Sequence, residues 1–319
     1  MKTVGYDIIG DVHGCAETLT KLLVKLGYKL DKDTYWHQDR KAIFVGDIVD
    51  RGPRIREALH IIKNMVDHDT GQCIMGNHEY NALGYTTLVN SKRQDGYVRD
   101  HNRYNNRQIA ETLIQFAPYP EEWRMFLKWF QSLPIFLEMP GFRVVHACWD
   151  DALISEFKNR YHTNTVTQEF IRESADKSTF AGYFMDRLTR GTDLRLPHGR
   201  TIKSKDGYER AFFRTKFWAK NPKRYKDIVI QPDPLPEDLV NQHLTDDEKN
   251  TLHTYSEAAV PVFIGHYWLQ GRPRPLTHNV ACLDYSAVKY GRLAAYQFDG
   301  ETELHEDKFV WVYVNPMLT

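Results

Sequence analysis

Three short segments combine glycine with carboxylate, imidazole and amide side chains, which are residue types that bind metal ions. The segments are Gly10–Gly14, Gly46–Gly52 and Gly76–Glu79. Carboxylates and imidazoles suit Mn²⁺, Fe or Zn²⁺, and a carboxylate can bridge two cations because it has two oxygens. One such segment alone would more often be a helix-capping turn, but three in succession predict a metal centre.

The middle segment supplies the residue that we expect to join two divalent metal ions, with Mn²⁺ expected and Fe or Zn²⁺ as alternatives. Asp47 is the predicted bridge, Asp11 and His13 complete the first site, and Asn77 contributes to the second. Two cations about 3.5–4 Å apart can hold phosphate oxygens and lower the pKa of an attacking water from about 15.7 toward 7. Metal-bound hydroxide is then available at neutral pH, which indicates hydrolysis of a phosphate ester.

In this order the three segments resemble the signature of the calcineurin-like metallophosphoesterase superfamily, in the branch of phosphoprotein phosphatases and bacterial diadenosine tetraphosphate hydrolases. The resemblance implies two further metal ligands, a histidine that follows a strand and a histidine preceded by glycine. His146 and His266 meet these descriptions. The sequence departs from the phosphoprotein phosphatases after His146, where Ala147 and Cys148 stand in place of two glycines.

Four residues are predicted to contact the substrate or to orient a residue that does. His78 is the expected general acid to the leaving oxygen, and Asp50 is expected to keep its imidazole protonated and oriented. A positioned acid contributes about 10²–10⁴ in rate. Arg51 is expected to clamp the phosphate because its planar guanidinium matches two phosphate oxygens. Arg214 is the second candidate for phosphate binding.

The motifs favour different substrates. Asp50-Arg51 and Glu79 resemble the phosphoprotein phosphatase form of the signature. The segment Gly265–Trp268 resembles diadenosine tetraphosphate hydrolases instead. We expect a phosphomonoesterase of the phosphoprotein phosphatase type, with dinucleoside polyphosphate hydrolysis as the alternative. A non-catalytic metal-binding scaffold is the alternative from another class, and such a protein would usually lack part of the ligand or acid set.

Each segment directly follows an apolar run that predicts a β-strand. These runs end at Ile9, Val45 and Met75, and helical patterns of leucine and isoleucine lie between them. The resulting β-α-β-α-β order predicts a mainly parallel sheet. Because ligands of such sheets collect outside the carboxyl ends of the strands, the polar segments are expected to meet there.

The resemblance implies an α/β fold in which two mixed β-sheets pack as a sandwich flanked by helices. The chain is predicted to be a single metallophosphoesterase domain over residues 1–319, with helical or irregular insertions at about 80–133 and 150–257. Within the first insertion, Asn90–Arg107 is predicted to be a surface loop. Four later strand signals are expected to form the second sheet: Val260–Ile264, Val280–Leu283, Arg292–Phe298 and Phe309–Val314.

Four arginines in this predicted loop recur near helical spacing: Arg93, Arg99, Arg103 and Arg107. A row of this kind is more often a solvated face than a binding surface. We therefore interpret it as solvent-exposed, with a role in substrate choice as the alternative.

Composition limits the partners and the compartment. The 42 Lys and Arg residues balance the 42 Asp and Glu residues, so no global positive field is expected to attract nucleic acid or a membrane surface. The four cysteines are far apart and form no CxxC pair, which argues against a disulfide framework. With no signal-peptide pattern and no apolar run near the roughly 20 residues that cross a bilayer, we expect a soluble cytoplasmic enzyme. Its expected partner is a phosphorylated substrate, either a phosphoprotein or a small phosphoester or nucleotide.

Overall fold

The computed structural model describes residues 5–90, 95–203, 209–230 and 235–315. The strands in chain order are β1 Gly5–Ile9, β2 Lys29–Asp31, β3 Thr34–Trp36, β4 Arg40–Phe44, β5 Gly71–Cys73, β6 Leu88–Asn90, β7 Asp95–Tyr97, β8 Phe136–Met139, β9 Phe142–Val145, β10 Thr192–Arg195, β11 Ile202–Lys203, β12 Glu209–Arg210, β13 Phe212–Thr215, β14 Val262–Ile264, β15 Val280–Cys282, β16 Asp284–Tyr285, β17 Arg292–Phe298 and β18 Phe309–Tyr313. The helices are α1 Ala16–Lys25, α2 Ile55–Asp67, α3 Asn77–Thr86, α4 Arg103–Phe116, α5 Pro120–Ser132, α6 Asp151–Tyr161, α7 Gln168–Glu173, α8 Phe180–Arg190, α9 Tyr225–Ile228, α10 Glu237–Val240 and α11 Asp246–Thr251.

The first sheet is built around the N-terminal strand. Among the described residues its order is β16-β17-β1-β4-β5, with β18 also paired to β17. Strands β1, β4 and β5 are parallel, which confirms the predicted β-α-β-α-β order. On the other side of β1, β17 runs antiparallel, so that Ile8 lies between Ile43 and Tyr296. The sheet is therefore mixed.

The second sheet has the order β15-β14-β9-β8. Strand β14 is parallel to both β9 and β15, whereas β8 is antiparallel to β9. The prediction that all four late strands build this sheet was wrong, because β17 and β18 join the first sheet. An apolar run identifies a strand but not its partner, since pairing depends on contacts between residues far apart in the sequence.

Alternation of side chains along the strands creates two apolar layers. Successive residues of a strand point to opposite faces, so Ile8 faces the other sheet while Ile9 faces the flanking helices. Helices α1 and α2 cover that outer face with side chains such as Leu19 and Leu59. The layer between the sheets includes Ile8, Ile43, Val144, Phe142, Phe263 and Tyr296. This arrangement confirms the predicted sandwich flanked by helices.

The predicted surface loop Asn90–Arg107 is partly regular structure. Strand β7 lies within it, and α4 begins at Arg103. The Asn102 side chain accepts a hydrogen bond from the Asn105 N–H at 2.9 Å and caps this helix. The polar exposed side of α4 hid the helix, because its first turns have few apolar residues to reveal a period. Residues 91–94 lie outside the described residues.

The segment at 150–257 combines the helices expected there with short strands. Helices α6, α7 and α8 fill its first part, and β10 then pairs with β13. Around this hairpin the buried cluster comprises Leu194, Leu196, Phe213, Tyr225, Ile228, Val229, Leu239 and Leu244. The assignment of the whole chain to a single domain stays a prediction.

The expectations drawn from composition concern cysteines and membranes. All four cysteines, Cys15, Cys73, Cys148 and Cys282, are buried and free. They behave as small apolar side chains within the packed interior. In the ranges that the structure describes, every helix is too short or too polar to cross a membrane.

Phe142 is expected to be a major contributor to the layer between the sheets. It is fully buried, and its ring contacts those of Tyr6, Phe263 and Phe298. Phe142→Ala should lower the free energy of unfolding by about 3–5 kcal/mol through lost burial and a cavity. Val24→Ala, at an exposed helix position, is the control and should change it by less than about 0.5 kcal/mol. Urea denaturation measures both, and equal effects would contradict this packing.

Candidate metal and phosphate site

Asp47 lies at the centre of a buried group of imidazoles, just beyond the end of β4. Its Oδ2 lies 3.6 Å from His13 Nε2, 3.3 Å from His146 Nε2 and 3.9 Å from His78 Nε2. Two sets of potential metal ligands share this carboxylate: His13, Asp47 and His78 in one, and Asp47, His146 and His266 in the other. A carboxylate common to two sets fits the bridging role, which stays a prediction.

Asp11, Asn77 and His266 complete the group of predicted ligands. The His266 backbone N–H donates to Asp11 Oδ2 at 3.0 Å. Asn77 Oδ1 lies 2.7 Å from His266 Nδ1 and 3.2 Å from His146 Nε2. Asn77 begins α3, and the others follow strands of the two sheets. The structure therefore brings all six predicted ligands together across the facing sheets.

Hydrogen bonds to two of the imidazoles leave their Nε2 atoms for a cation. His13 Nδ1 lies 2.8 Å from the Val49 carbonyl oxygen. His146 Nδ1 lies 2.7 Å from the Val45 carbonyl oxygen. An Nδ1–H that donates to a carbonyl fixes the ring and leaves the Nε2 lone pair free to bind a metal. These backbone contacts therefore orient both histidines in a way that suits their predicted role as ligands.

Crowded carboxylates and unpaired ligand atoms provide a second test of fit. Asp11 Oδ1 and His266 Nε2 are buried and have no hydrogen-bond partner among the described residues. Burial, together with the neighbouring Asp284 and Asp47 carboxylates, raises the pKa of Asp11 well above its usual range. A bound cation relieves both penalties. The donor set therefore fits two divalent cations.

The electrostatics at the centre favour positive charge beside Asp47. Burial opposes charge on His146, but the Asp47 and Asp11 carboxylates raise the pKa of its imidazole to about 10. Burial likewise opposes charge on Asp47, but the nearby imidazoles, His146 foremost, hold the pKa of this carboxyl well below its usual range. A carboxylate kept ionised in a buried site is suited to bind cations.

The predicted acid pair is in contact and has a third member. His78 Nδ1 lies 2.6 Å from Asp50 Oδ2. The Thr112 hydroxyl donates to Asp50 Oδ1 at 2.5 Å and accepts from the Asp50 N–H at 3.0 Å. All three side chains are buried. Thr112 could not be found from the sequence, because no local pattern marks a hydroxyl within a helix that contacts a residue 62 positions away.

Arg51 contacts both a predicted ligand and the predicted acid. Its Nη1 lies 2.8 Å from His13 Nε2 and its Nη2 lies 2.9 Å from His78 Nε2. The guanidinium also packs 4.5 Å from the centre of the Trp268 ring. Since a cation on His13 Nε2 would exclude the hydrogen bond from Arg51, this arginine must turn away from His13 when a metal binds there.

A cleft of about 1210 Å³ extends from the predicted ligands. Among the described residues that line it, the acidic ones are Asp47 and Glu111. Arg214, the second predicted phosphate ligand, lies in this cleft and donates to the His266 carbonyl oxygen at 3.4 Å. Eight of the described cationic side chains line it: Arg51, Arg99, Arg103, Arg107, Lys177, Arg190, Arg214 and Lys289. Such an excess of positive charge suits a phosphate-bearing ligand.

Three of the four arginines in the polar stretch line this cleft. Arg99 is half-buried, and Arg103 and Arg107 are exposed to the cleft from the first turns of α4. Arg93 lies outside the described residues. Arg103 and Arg107 are solvent-exposed, as the interpretation of a solvated face expects, and this face also lines the cleft beside the predicted metal ligands. The alternative, a role in substrate choice, stays a prediction.

A family model supports the chemistry that the geometry indicates. The model of the calcineurin-like phosphoesterases matches residues 6–267, which include all six predicted ligands. The chain belongs to this family. Membership confirms the resemblance seen in the motifs, the fold class and the expected class of enzyme, a metal-dependent phosphoesterase.

This phosphoesterase is similar to curated bacterial proteins over part of its length. It is 36% identical over 123 residues to the asymmetrical bis(5'-nucleosyl)-tetraphosphatase PrpE of Halalkalibacterium halodurans, a match that covers 37% of this chain and 49% of that protein. It is 31% identical over 171 residues to the protein of the same name from Oceanobacillus iheyensis. That match covers 51% of this chain and 66% of the relative. The chain thus spans less than two thirds of either relative.

Similarity to solved structures is more distant. A protein serine/threonine phosphatase from Saccharomyces cerevisiae aligns over 99% of this chain and 81% of its own, at 14% identity and a TM-score of 0.46. So low a score has no bearing on the function of the phosphoesterase.

Glu79 holds the ligand loops of the phosphoesterase in place. Its fully buried carboxylate accepts the N–H groups of Asp47 at 2.8 Å, Ile48 at 2.8 Å, Val49 at 3.2 Å and Gly76 at 3.0 Å. The sequence offered one signal for this role, since a glutamate at the third position of a helix commonly returns to the helix start. Its reach to the loop after β4 was visible only in the fold.

Backbone strain concentrates in the same loops. Of the twelve non-glycine residues with positive φ in the described part of the chain, six belong to the site or its rim: His13, Asp47, Asp50, Arg51, His266 and Trp268. Side chains larger than glycine adopt this region at a cost of order 1–3 kcal/mol each. The surrounding hydrogen bonds must therefore hold these residues in place, as those of Glu79 do for Asp47.

The two roles considered for His78 are separated by metal content. If His78 is a general acid, the His78→Asn variant should retain the metals while its turnover falls by about 10² or more. Asp47→Asn should lose metal as well as activity, because a neutral amide bridges cations poorly. Elemental analysis after dialysis against Mn²⁺, combined with turnover of an aryl phosphate, measures both effects. Metal loss in the His78 variant would make it a ligand, and full metal content in the Asp47 variant would contradict the bridge.

Thr112 is expected to position Asp50 and, through it, His78. Thr112→Val should lower kcat about 10-fold, since a buried hydrogen bond contributes ~1–1.5 kcal/mol. Thr112→Ser retains the hydroxyl and should restore most of that loss. Metal content and KM should remain near those of the unmodified enzyme in both variants. Equal kcat for the Val and Ser variants would show that the hydroxyl has no such role.

Proposed function

We propose that this phosphoesterase hydrolyses dinucleoside polyphosphates. The observation that carries the proposal is the cationic cleft that extends from the predicted metal ligands. A polyphosphate chain carries negative charge on each of its phosphates, so it can occupy several cationic groups at once. The names of the curated relatives, bis(5'-nucleosyl)-tetraphosphatases, agree with this substrate class.

Two divalent cations, Mn²⁺ in our proposal and Fe or Zn²⁺ as alternatives, would be held by Asp11, His13, Asp47, Asn77, His146 and His266. When bound, such cations polarise phosphate oxygens and activate water. Asp47 lies within reach of both ligand sets, which suits it to join the two cations.

The remaining groups of the chain would handle the proton and the phosphate charge. His78, oriented by Asp50, would donate a proton from its Nε2 to the leaving oxygen. Arg51 would bind the scissile phosphate after releasing both His13 and His78, which leaves His78 Nε2 free to carry the proton. Arg214, held near His266, is the candidate for a second contact with that phosphate. This division of roles needs no covalent intermediate on the protein.

Phosphomonoester hydrolysis of the phosphoprotein phosphatase type is the second candidate. It is supported by the motif form of Asp50-Arg51 and Glu79. The charge of the cleft favours a longer anion, because a monoester offers a single phosphate to eight cationic side chains. A non-catalytic scaffold is not favoured, since the ligand set and the contact between His78 and Asp50 are complete.

A comparison of substrates distinguishes dinucleoside polyphosphate hydrolysis from phosphomonoester hydrolysis. With Mn²⁺, diadenosine tetraphosphate should be cleaved with kcat/KM at least about 100-fold above that of a phosphoserine peptide, because each added charge-assisted contact contributes about tenfold. An aryl phosphate serves as the reference substrate, and chelation should abolish turnover of all three. Faster cleavage of the phosphopeptide would reverse the ranking. Failure to turn over any of them with metal would favour the scaffold.

A further inference from the structure

Arg99 is fixed relative to the predicted metal ligands by its backbone. Its N–H donates to the Gly84 carbonyl oxygen at 3.0 Å, and the neighbouring Val98 N–H donates to Thr87 at 2.9 Å. Gly84 belongs to α3, the helix that begins with Asn77 and His78. A Cβ at position 84 would lie only 3.3 Å from Arg99 Cβ, so the two backbones approach closely. The backbone of Arg99 is therefore fixed to α3, the helix that begins with the predicted ligand Asn77 and the predicted acid His78.

The side chain of Arg99 is also held, but by a neutral partner. Its Nη2 donates to Gln108 Oε1 at 2.6 Å, and Gln108 Nε2 donates to the Tyr104 hydroxyl at 2.7 Å. No carboxylate lies within ion-pair distance of Arg99 among the residues described in the structure. The guanidinium is thus oriented in advance without an ion-pair partner among the described residues, although Asp50 counters part of its charge from a distance. This arrangement suits an anion-binding group.

A second guanidinium on the same wall adds to this charge. Arg190 donates from Nη2 to Asn81 Oδ1 at 2.6 Å and packs 5.3 Å from the centre of the Tyr80 ring, two further residues of α3. It also pairs with Asp186 at 3.1 Å. Burial, followed by repulsion from Arg190, lowers the pKa of Arg99 to about 10. Both arginines contact α3, at Gly84 and Asn81, and both line the cleft, so an anion bound at both would relieve their repulsion.

The location of the pair relates this positive charge to the reaction. Arg190 contacts Asn81, which lies one turn along α3 from the predicted ligand Asn77. Both Arg99 and Arg190 line the cleft that reaches Asp47 and His78. A phosphate bound at these arginines can therefore belong to the same molecule as a phosphate held at the metal centre.

We propose that Arg99, with Arg190, binds a non-scissile phosphate of the substrate and thereby selects polyphosphate chains over single phosphates. This inference rests on the proposed function, which it deepens by assigning a second phosphate subsite. The planar guanidinium of Arg99, held by Gln108, would direct two N–H groups toward phosphate oxygens. Selection arises because a single phosphate at the metals leaves this subsite unfilled.

Inhibition by inorganic phosphates tests the subsite without a nucleotide. Turnover of an aryl phosphate is measured at constant free Mn²⁺, with tripolyphosphate or orthophosphate as the inhibitor. For Arg99→Gln we expect the ratio of the tripolyphosphate to the orthophosphate inhibition constant to rise about 10-fold or more, the effect of losing a charge-assisted contact. Arg124→Gln is the matched control, because Arg124 is an exposed arginine of α5 outside the cleft lining, and it should leave the ratio and the basal activity unchanged.

Arg99→Lys keeps the charge without the planar fork and should give an intermediate ratio, so it carries the test if the glutamine variant does not fold. An unchanged ratio in the folded variant, or parallel increases in both constants, would overturn the subsite. The outcome is separate from that of the proposed function. The unmodified enzyme could leave diadenosine tetraphosphate intact while the ratio of inhibition constants still depends on Arg99. That result would support the phosphate subsite and contradict the proposed dinucleotide substrate.

Discussion

The site depends on a single buried carboxylate that accepts hydrogen bonds from two loops. Glu79 accepts the N–H groups of three successive residues after β4 and that of Gly76 before α3. Without such acceptors, the positive φ of Asp47 would have little to hold it. The desolvation of Glu79 raises its pKa, and the backbone donors counter part of that cost. Burial removes the hydration of the Glu79 carboxylate, and its hydrogen bonds to four backbone N–H groups in turn fix the conformation of the loops at the candidate metal site.

Helix α3 links the chemistry to the cleft. Its first two residues are a predicted ligand and the predicted acid, and its third is the Glu79 anchor. Farther along the same helix, Asn81 and Gly84 contact Arg190 and Arg99. Because an α-helix is rigid over this length, we expect the distance from the predicted ligand Asn77 to Arg99 and Arg190 to stay constant. A constant distance between the metal centre and the proposed second phosphate subsite would allow the site to distinguish substrates by the length of their phosphate chain.

Helix α4 supports the other side of the site. Thr112 holds Asp50, while the Gln115 side chain accepts from the Ile55 N–H at 2.7 Å and donates to the Gly52 carbonyl oxygen at 3.0 Å. The first turns of the same helix carry Arg103 and Arg107 on the cleft wall. The predicted insertion that contains α4 therefore contributes to the candidate site, since its hydrogen bonds support the loop that presents Asp50 and Arg51.

The sequence alone determined which side chains are of types that bind metal ions and that several of them follow strands. Asp11, Asp47 and Asn77 could be placed at a common sheet edge because each follows a strand in a parallel arrangement, and parallel strands share their carboxyl ends. Only the tertiary structure decided which strands form each sheet, that Thr112 supports Asp50, and that Arg99, Arg103 and Arg107 line the cleft. The reason is physical: a motif encodes which atoms can bind a metal through local residue type and spacing. Strand pairing, anchoring and the charge of a cleft arise from contacts between residues distant in the chain, which only packing brings together.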